Sequence, residues 1–294
     1  MDKIGFVGVG LMGHGMAASM RRAGHEVTVI AHRNRAPVDD LVAMGCAEAD
    51  GLEALAAASD VVHICAPASP QVEAIVEGLI PGLRDGAIVV DCSTANPVST
   101  VALAKKLRAR GVEMADAPLG GTPAQAEEGQ LATMVGATPE TFARLEPILA
   151  TWAGAGVAHL GEVGTGHRMK LLNNFLAMGY GAIYAEALAL SRSVGISIEQ
   201  FDGVIRGSRM DCGFYRTFMG HALEGNRESH KFTLRNATKD MRYLAAMADA
   251  AGVPNPVGSA VKNSYAAALA AGGDGPEDYV PHLTDWVAEA AGLD

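Results

Sequence analysis

The sequence predicts an α/β protein, with a doubly wound, mostly parallel sheet followed by an all-helical C-terminal domain. In the first half of the chain, short apolar or β-branched runs alternate with helical stretches, which is typical of βαβ units. After about Gly161 this alternation ends, and only helical patterns follow. We therefore expect two domains, residues 1–163 and residues 164–294.

Short runs rich in apolar and β-branched residues predict the strands of the first domain. They are Lys3–Val9, Val27–Ile30, Asp60–Cys65, Ala87–Asp91, Val112–Asp116 and Leu131–Val135. Helices are expected between them, and Asn96 followed by Pro97 is a favourable N-cap and first-turn pair. The expected helices run from Gly10 to about Arg22 and over Pro37–Met44, Ser69–Glu77, Pro97–Arg110 and Thr138–Trp152.

The second domain is predicted from helical stretches alone. The first of them is unusually long and runs from Thr165 to Val194. The others are Ile198–Arg206, Tyr215–Leu223, Leu234–Ala251 and Val257–Ala271.

The composition favours a globular protein with a packed core. Of the 294 residues, 49% are hydrophobic and 19% are charged, which excludes a disordered or fibrous chain. The net charge of −10 argues against nucleic acid or a membrane surface as partner. No targeting or membrane segment is evident, because glycines interrupt the apolar stretch from Ile4 to Met20.

Cysteine and histidine usage predicts neither a disulfide framework nor a metal site. The four cysteines form no CxxC pair, so we expect free buried thiols in a reducing compartment. They are Cys46, Cys65, Cys92 and Cys212. The nine histidines include no HxxxH or HExxH spacing, so no metal is expected. Together these features predict a cytoplasmic protein.

A glycine motif between the first strand and the first helix predicts a dinucleotide site. Its sequence is Gly8-Val9-Gly10-Leu11-Met12-Gly13, with the spacing GxGxxG. Gly8 permits the tight turn, Gly10 lets the backbone approach a phosphate, and Gly13 lets the helix pack on the strand. The helix N-terminus then offers free N–H groups to the anion. Turn glycines alone can produce this spacing, but its place in the first βαβ unit favours a Rossmann-type site.

The end of the second predicted strand indicates which nicotinamide cofactor is bound. An NAD site has an Asp or Glu there, to accept a hydrogen bond from the ribose 2′-hydroxyl. No acidic residue lies between Thr28 and Ala36, and the segment instead holds His32, Arg33 and Arg35. Surface charges of this kind are common, but guanidinium groups also pair well with a 2′-phosphate. NADP is therefore the expected cofactor, and NAD remains possible.

Lys170 and Asn174 lie near the start of the long predicted helix. They are four residues apart, so their side chains share one helix face. A single lysine on a helix is usually a solvated surface residue. The spacing alone therefore does not establish a catalytic pair.

Several motifs occur in order along essentially the whole chain. After the glycine motif come Asp91-Cys92-Ser93-Thr94, Asp116–Gly121 with Glu128–Leu131, Gly164-Thr165-Gly166 with Lys170 and Asn174, and Lys239-Asp240. In this order they resemble the β-hydroxyacid dehydrogenase family, which includes 3-hydroxyisobutyrate dehydrogenases and tartronate semialdehyde reductases. Ordered motifs are more specific than any one of them.

This resemblance implies an NAD(P)-dependent oxidoreductase that interconverts a small 3-hydroxy acid and its semialdehyde or keto form. It implies that Lys170 is the catalytic general acid/base and that Asn174 orients the substrate. Gly120, Gly121 and Thr122 would hold the acid group of the substrate. Cofactor contacts are implied for Ala66, Pro67, Thr94 and Lys239. Family members associate through helical surfaces, so a homodimer or homotetramer is expected.

The chain departs from the family pattern in the substrate loop. Most members have Ser-Gly-Gly where this chain has Gly120-Gly121-Thr122, followed by Pro123. A threonine here is similar to the sulfolactaldehyde reductase branch, which has an arginine at the position of Gly121. The acid group of the substrate is therefore open between a carboxylate, a sulfonate and something larger.

Three other functions are less consistent with the residues present. The related motif of 6-phosphogluconate dehydrogenase has a histidine at the position of Asn173. Imine reductases share the fold but typically lack the lysine that Lys170 supplies. A non-catalytic dinucleotide-binding module has no need of Lys170, Asn174 and Lys239 together.

Overall fold

The structure, a computed structural model, describes residues 2–293 and divides the chain within one long helix. The first unit ends at Lys170 and the second begins at Leu171. Each unit has its own hydrophobic core. The sequence places the domain boundary a few residues earlier, between 163 and 164, and that boundary stays a prediction.

A nine-stranded sheet forms the centre of the first unit. Its strands are β1 Ile4–Val7, β2 Val27–Val29, β3 Ala47–Glu48, β4 Val61–Ile64, β5 Ile88–Asp91, β6 Glu113–Asp116, β7 Leu119–Gly120, β8 Ala132–Gly136 and β9 Gly156–Gly161. The neighbours β3-β2-β1-β4-β5-β6 are parallel. β8 then pairs antiparallel with β6 and β7 and parallel with β9. This order is that of a Rossmann-type doubly wound sheet, so the predicted fold class is confirmed.

Helices connect the strands of this sheet. They are α1 Gly13–Arg22, α2 Ala36–Ala43, α3 Leu52–Ala57, α4 Ser69–Leu79, α5 Pro97–Arg108, α6 Pro123–Glu127 and α7 Pro139–Leu149. Alternate strand residues enter two different cores: Val61 packs with Phe6 in one, and Val62 packs with Val89 in the other. The central strands are thus buried on both faces, as parallel strands require.

The second unit is built from helices. They are α8 Thr165–Ser193, which begins in the first unit, then α9 Ile198–Ile205, α10 Gly213–Glu224, α11 Leu234–Ala251, α12 Pro256–Ala270 and α13 Leu283–Ala290. Tyr215, Phe218 and Tyr265 are fully buried in its core. The hydroxyl of Tyr265 donates to the carbonyl oxygen of Met178 at 3.0 Å. Between Gly161 and residue 293 no strand occurs, which confirms the predicted all-helical C-terminal part.

Short or exposed elements were absent from the sequence prediction. They are β3, β7, β9, α3, α6 and α13. β3 and β7 contain two residues each, too few for a periodic pattern. β9 lies at the edge of the sheet with most of its residues exposed, so it lacks the alternation that marks a half-buried strand. By contrast, Asn96 caps α5 as predicted, because its Oδ1 accepts from the N–H of Val98 at 3.1 Å.

Candidate active site

Four neighbouring parallel strands end at one edge of the sheet, and most of the predicted cofactor residues follow those ends. Gly8–Gly13 follow β1, His32–Arg35 follow β2, Ala66 and Pro67 follow β4, and Thr94 follows β5. Open α/β sheets bind ligands outside the carboxyl ends of their strands. The first unit therefore brings these four segments to the edge where a dinucleotide would bind.

The glycine loop after β1 has two glycines required by the fold and one that faces open space. A Cβ at Gly8, where φ is +98°, would collide with the carbonyl oxygen of Cys65, and one at Gly13 would collide with that of Gly8. A Cβ at Gly10 would meet no protein atom within 4 Å. A side chain at Gly10 would instead fill the space beside the loop. That geometry fits close approach of a pyrophosphate to the backbone.

The N-terminus of α1 is suited to an anion. The helix begins at Gly13 with no side-chain cap and no acidic residue in its first turn. Its first N–H groups and its dipole therefore favour negative charge at this end. Leu11, in the loop before it, is 82% exposed and offers apolar surface to a ligand. Met12, the N-cap residue, is half-buried.

The cation cluster after β2 is exposed, and one of its members is already paired. Arg35 donates to Asp39 and Glu48 at distances of 2.9 to 3.2 Å. The hydrogen bonds to Glu48 and Asp39 raise the pKa of the Arg35 guanidinium above its ordinary value. His32 and Arg33 are exposed at the same loop. Arg35 would have to leave two carboxylates to bind a phosphate, whereas Arg33 would not have to break these bonds.

Hydrogen bonds hold the loops after β4 and β5 together. The N–H of Ala66 donates to Ser93 Oγ at 2.9 Å. The N–H of Asn96 donates to Ser69 Oγ at 2.7 Å. Thr94 lies between these two contacts and is half-buried. The loops that carry Ala66 and Thr94 are therefore held by hydrogen bonds to side chains of Ser93 and Ser69.

A capping box fixes the predicted substrate loop. Thr122 caps α6, and its N–H and hydroxyl both donate to Gln125 Oε1, at 2.9 and 3.2 Å. Gly121 has φ of +132°, and a Cβ there would lie 2.8 Å from Leu131 Cδ2, so only glycine suits this position. A Cβ at Gly120 would only touch Ala132 at 3.8 Å, so a serine would fit. The hydroxyl of Thr122 is committed to Gln125 rather than directed at a substrate.

Lys170 lies near the start of α8, after a buried hydrogen-bond network. Asp116, at the end of β6, accepts from the N–H groups of Gly164 and His167 at 2.5 and 2.6 Å. Burial raises the pKa of the Asp116 carboxyl, although His167 and the two N–H groups act in the opposite direction. Lys170 itself is half-buried. Its helix therefore starts at a fixed point on the sheet.

Asn174 and Lys239 meet at one buried carboxylate in the second unit. Asn174 Nδ2, on α8, donates to Asp240 Oδ2, on α11, at 2.7 Å. Lys239 Nζ lies 3.3 Å from Asp240 Oδ1 and 5.7 Å from the ring centroid of Tyr243. Asn174 and Asp240 are buried, and the Lys239 side chain is 20% exposed. The second unit thus brings two of the predicted site residues together through Asp240.

Lys239 also lines an open cavity of about 390 Å³ in the second unit. The other lining residues are Arg235, Thr238, Arg242, Tyr243, Leu269 and Asp274. Arg235 is paired with Asp274 at 3.1 Å. Arg235, Lys239 and Arg242 occur at helical spacing on α11, so the cavity presents positive charge to a small anion.

Sequence reasoning assigned no role to three residues of these networks. Asp116 and Asp240 belong to the motifs Asp116–Gly121 and Lys239-Asp240, but their hydrogen-bond partners are distant in sequence. Gln125 had a local signal, because Thr122 followed three residues later by Gln125 has the spacing of a capping box.

The expectation of four buried thiols was partly wrong. All four cysteines are free, but Cys212 is exposed at the start of α10 and Cys65 is only partly buried. Burial raises the pKa of the Cys65 thiol to about 12. Within residues 2–293, no group of three or more His, Cys, Asp or Glu is arranged to hold a metal ion. Over the same range, no helix combines the length and hydrophobicity needed to span a membrane.

Comparison with known proteins identifies the family. Residues 3–161, more than half of the chain, match the family described as the NAD binding domain of 6-phosphogluconate dehydrogenase. Residues 164–281 match the family described as NAD-binding of NADP-dependent 3-hydroxyisobutyrate dehydrogenase. The chain belongs to the β-hydroxyacid dehydrogenase family. This confirms the resemblance carried by its motifs, and the chain is an NAD(P)-dependent oxidoreductase that acts on CH–OH groups.

Individual relatives cover nearly the whole chain. The 3-sulfolactaldehyde reductase of Escherichia coli is 30% identical over 275 residues, 92% of each chain. The 3-hydroxyisobutyrate dehydrogenase of Pseudomonas aeruginosa is 31% identical over 274 residues, 90% of this chain and 91% of that one. A solved 3-hydroxyisobutyrate dehydrogenase of Mycobacterium tuberculosis with L-serine has a TM-score of 0.85 at 26% identity, covering 96% of this chain and 98% of that one. An imine reductase of Myxococcus stipitatus, at 20% identity and a TM-score of 0.60, covers 97% of this chain and 99% of that one and shows the fold alone.

Proposed function

We propose that this β-hydroxyacid dehydrogenase interconverts a small 3-hydroxy acid and its semialdehyde or keto form, with Lys170 as general acid/base. The observation that carries the proposal is the buried bond between Asn174 and Asp240, the carboxylate that also pairs with Lys239. Asn174 lies one turn after Lys170 on α8. A solvated surface lysine needs no such neighbour, whereas an oriented polar site does.

Lys170 is suited to both directions of the reaction. A lysine of ordinary pKa, about 10.4, is an ammonium at neutral pH. A bound nicotinamide supplies or accepts the hydride. In carbonyl reduction, the ammonium donates a proton to the substrate oxygen and stabilises the negative charge that develops there. Alcohol oxidation needs the neutral amine as base, so its rate should increase toward alkaline pH while carbonyl reduction should not.

Asn174 is proposed to orient the substrate. Its Nδ2 is fixed by Asp240, and its Oδ1 accepts from Asn173 at 3.4 Å. The second proton on Asn174 Nδ2 then remains to bind the substrate oxygen. We expect Asn174→Ala to raise the KM for the substrate and to lower kcat.

The substrate's acid group is proposed to bind at Gly120, Gly121 and Thr122. Because the Thr122 hydroxyl is committed to Gln125, the loop offers backbone groups and lacks the serine hydroxyl that most family members provide. A carboxylate is the first choice. A sulfonate is the second candidate, favoured by Thr122 and by the similarity to 3-sulfolactaldehyde reductase. Gly120→Ser fits the space and should increase kcat/KM for carboxylate substrates relative to sulfonates.

NADP is the proposed cofactor, bound by the residues at the carboxyl edge of the sheet. His32 and Arg33 are proposed to bind its 2′-phosphate, and Arg35 to order the loop through Glu48 and Asp39. Arg33→Ser should lower kcat/KM for NADPH about tenfold or more, because one charge-assisted hydrogen bond is lost. The kcat/KM for NADH should stay nearly unchanged. Equal losses with both cofactors would contradict this assignment.

Association into a homodimer or homotetramer is also proposed, as is a cytoplasmic location. α8 carries an exposed apolar stripe at helical spacing, which is unusual for a surface that stays in water. Its members are Leu172, Leu176, Tyr180, Ile183 and Leu190, and Val194 follows directly after the helix. Light scattering of the purified protein measures the assembly directly.

A substrate panel tests the proposed function. The protein is assayed with NADPH and NADH against small semialdehydes in matched pairs, one member carrying a carboxylate and the other a sulfonate. The proposal expects turnover with at least one carboxylate member. Preference for sulfonates supports the second substrate class. Tight binding of NADPH without turnover of any member would contradict the proposal and indicate a non-catalytic dinucleotide-binding module.

A further inference from the structure

Two buried aspartates and one buried histidine meet where α8 begins. Asp91 and Asp116 end the neighbouring strands β5 and β6 and are register partners. His167 Nε2 lies 3.9 Å from Asp91 Oδ2, and His167 Nδ1 lies 3.8 Å from Asp116 Oδ2. All three side chains are buried, with at most 1% exposed. The His167 ring therefore lies between the two carboxyl groups.

The carboxylate of Asp116 is enclosed by backbone. Both of its oxygens accept N–H bonds, Oδ1 from Gly164 and Oδ2 from His167. A Cβ at Gly166 would lie 2.9 Å from Oδ2, and one at Gly136 would collide with Oδ1. The contact at Gly166 explains one glycine of the motif before Lys170. The Asp116 carboxyl thus caps the N-terminus of α8.

Two hydrogen bonds fix the orientation of the His167 ring. Nε2 lies 3.0 Å from the carbonyl oxygen of Ser93, which can only accept, so Nε2 donates to it. Nδ1 lies 2.8 Å from Thr100 Oγ1, on α5. The ring therefore ties the first turn of α8 to the loop after β5 and to α5.

We propose that His167 is a positioning residue that fixes the first turn of α8 and, through it, Lys170. The inference rests on the proposed function, because the role of Lys170 is itself a proposal. The titratable groups that face the ring are Asp91 from β5 and Asp116 from β6, while α5 contributes the hydroxyl of Thr100. His167 is also one helical turn before Lys170, so a shift of its ring would move the turn that carries Lys170.

Nitrogen NMR on the unliganded wild-type protein tests the ring contact directly. The protein is labelled with 15N-histidine, and the His167 signals are assigned with the His167→Gln variant. We expect a proton on Nε2 that exchanges slowly with water, because it is buried and donates to the carbonyl oxygen of Ser93. An Nε2 without a proton, or one that exchanges as fast as an exposed ring, would overturn the proposal. This measurement does not require catalysis.

Amide hydrogen exchange tests whether the contact fixes the helix. His167→Gln should increase exchange at residues 164–170 about tenfold or more, because local opening becomes easier. Thr100→Val removes the hydroxyl at Nδ1 and should give a smaller increase at the same amides. Thr141→Val is the matched control. Thr141, on α7, is also buried, and its hydroxyl accepts from Thr138 Oγ1 at 3.1 Å. This variant should leave the exchange at residues 164–170 unchanged. Unchanged exchange in His167→Gln would overturn the proposal.

Steady-state kinetics then separate positioning from simple stability. For alcohol oxidation, His167→Gln should lower kcat about tenfold, within the reach of a misplaced catalytic group, and leave the cofactor KM within about twofold. An unchanged kcat, or a loss that appears mainly as a raised cofactor KM, would overturn the positioning role. If Lys170→Ala also turns over at the wild-type rate, the proposed function itself fails, whatever the NMR shows.

Discussion

Two clusters in the first unit have the same composition, one histidine between two carboxylates, but opposite environments. In the first, His167 lies buried between Asp91 and Asp116. In the second, His14 bonds Glu127 at 2.8 Å through Nδ1 and Asp40 at 2.7 Å through Nε2. The side chain of His14 is 21% exposed, and those of Glu127 and Asp40 are 47% and 60% exposed. The exposed cluster has the shorter ion-pair distances.

The comparison teaches that distance does not measure what a charged contact contributes. The His14 cluster joins α1, α2 and α6 across surface that water and salt can reach, so its ion pairs are weak. In the His167 cluster water is excluded, and each polar atom depends on its protein partners. We expect loss of one member to be costly in the buried cluster and nearly neutral in the exposed one.

The largest effect is expected from Asp116→Asn. The amide would place N–H protons against an N–H donor of Gly164 or His167 and leave His167 beside one carboxyl group instead of two. Loss of a buried carboxyl group that accepts two N–H bonds costs about 3–5 kcal/mol. Urea denaturation should show this loss in the free energy of unfolding. The matched control is Glu127→Gln in the exposed cluster, and a similar loss in both variants would show that burial is not the deciding variable.

A third histidine sharpens the comparison, because it is buried without hydrogen bonds. Neither ring nitrogen of His63 has a hydrogen-bond partner within residues 2–293; the ring stacks on Phe6 with centroids 5.9 Å apart. Burial lowers the pKa of His63 from 6.5 to about 3. The contribution of neutral His63 to the free energy of unfolding is therefore fully present above pH 6.5. It is lost as the pH falls toward 3.

His63→Phe should remove this acid sensitivity. At pH 4 the wild type should have lost about 3 kcal/mol through His63, by linkage between folding and protonation. The variant should lack that part of the pH dependence. Denaturation curves from pH 7 to pH 4 provide the check, and parallel pH profiles for both proteins would contradict the role given to His63.

The smallest effect is expected from His14→Gln. Burial lowers the pKa of His14, but the bonds to Glu127 and Asp40 outweigh it and raise the pKa above 6.5. The ion pairs then stabilise the fold fully below pH 6.5 and stop doing so as the pH rises through the raised folded value. The variant should lose about 0.5–1 kcal/mol at acidic pH and low salt. A loss of several kcal/mol in the free energy of unfolding, or one that persists in high salt, would contradict the prediction. It would show that the His14 cluster contributes as much as the buried His167 cluster.

Sequence reasoning predicted the parts of this protein that local pattern controls. The alternation of strands and helices, the glycine loop after β1 and the Asn96 cap all follow from neighbouring residues. β9 and α13 were missed because their neighbours in space, rather than a strong local pattern, define them. Arg35 was expected to be available for a phosphate, and only the pairing of β2 with β3 brings Glu48 beside it.

In the candidate site, too, only the relations between residues close in sequence could be predicted. Lys170 and Asn174 are linked by helical spacing, so one helix is enough to relate them. Asp116, 51 residues from His167, and Asp240, 66 residues from Asn174, act through contacts that no spacing rule shows. The ordered motifs indicated that Asp116 and Asp240 belong to the same family pattern as Lys170 and Asn174. The hydrogen bonds to His167 and Asn174 give the physical reason.

The most direct test of the account is the turnover of Lys170→Ala with saturating cofactor, with and without added small primary amines. We expect kcat to fall about 10²–10⁴-fold, the contribution of a general acid/base, while cofactor binding is retained. An amine that enters the vacated space should restore part of the rate, and the recovery should depend on pH. A near-normal rate without added amine would contradict the claim that this side chain moves the proton.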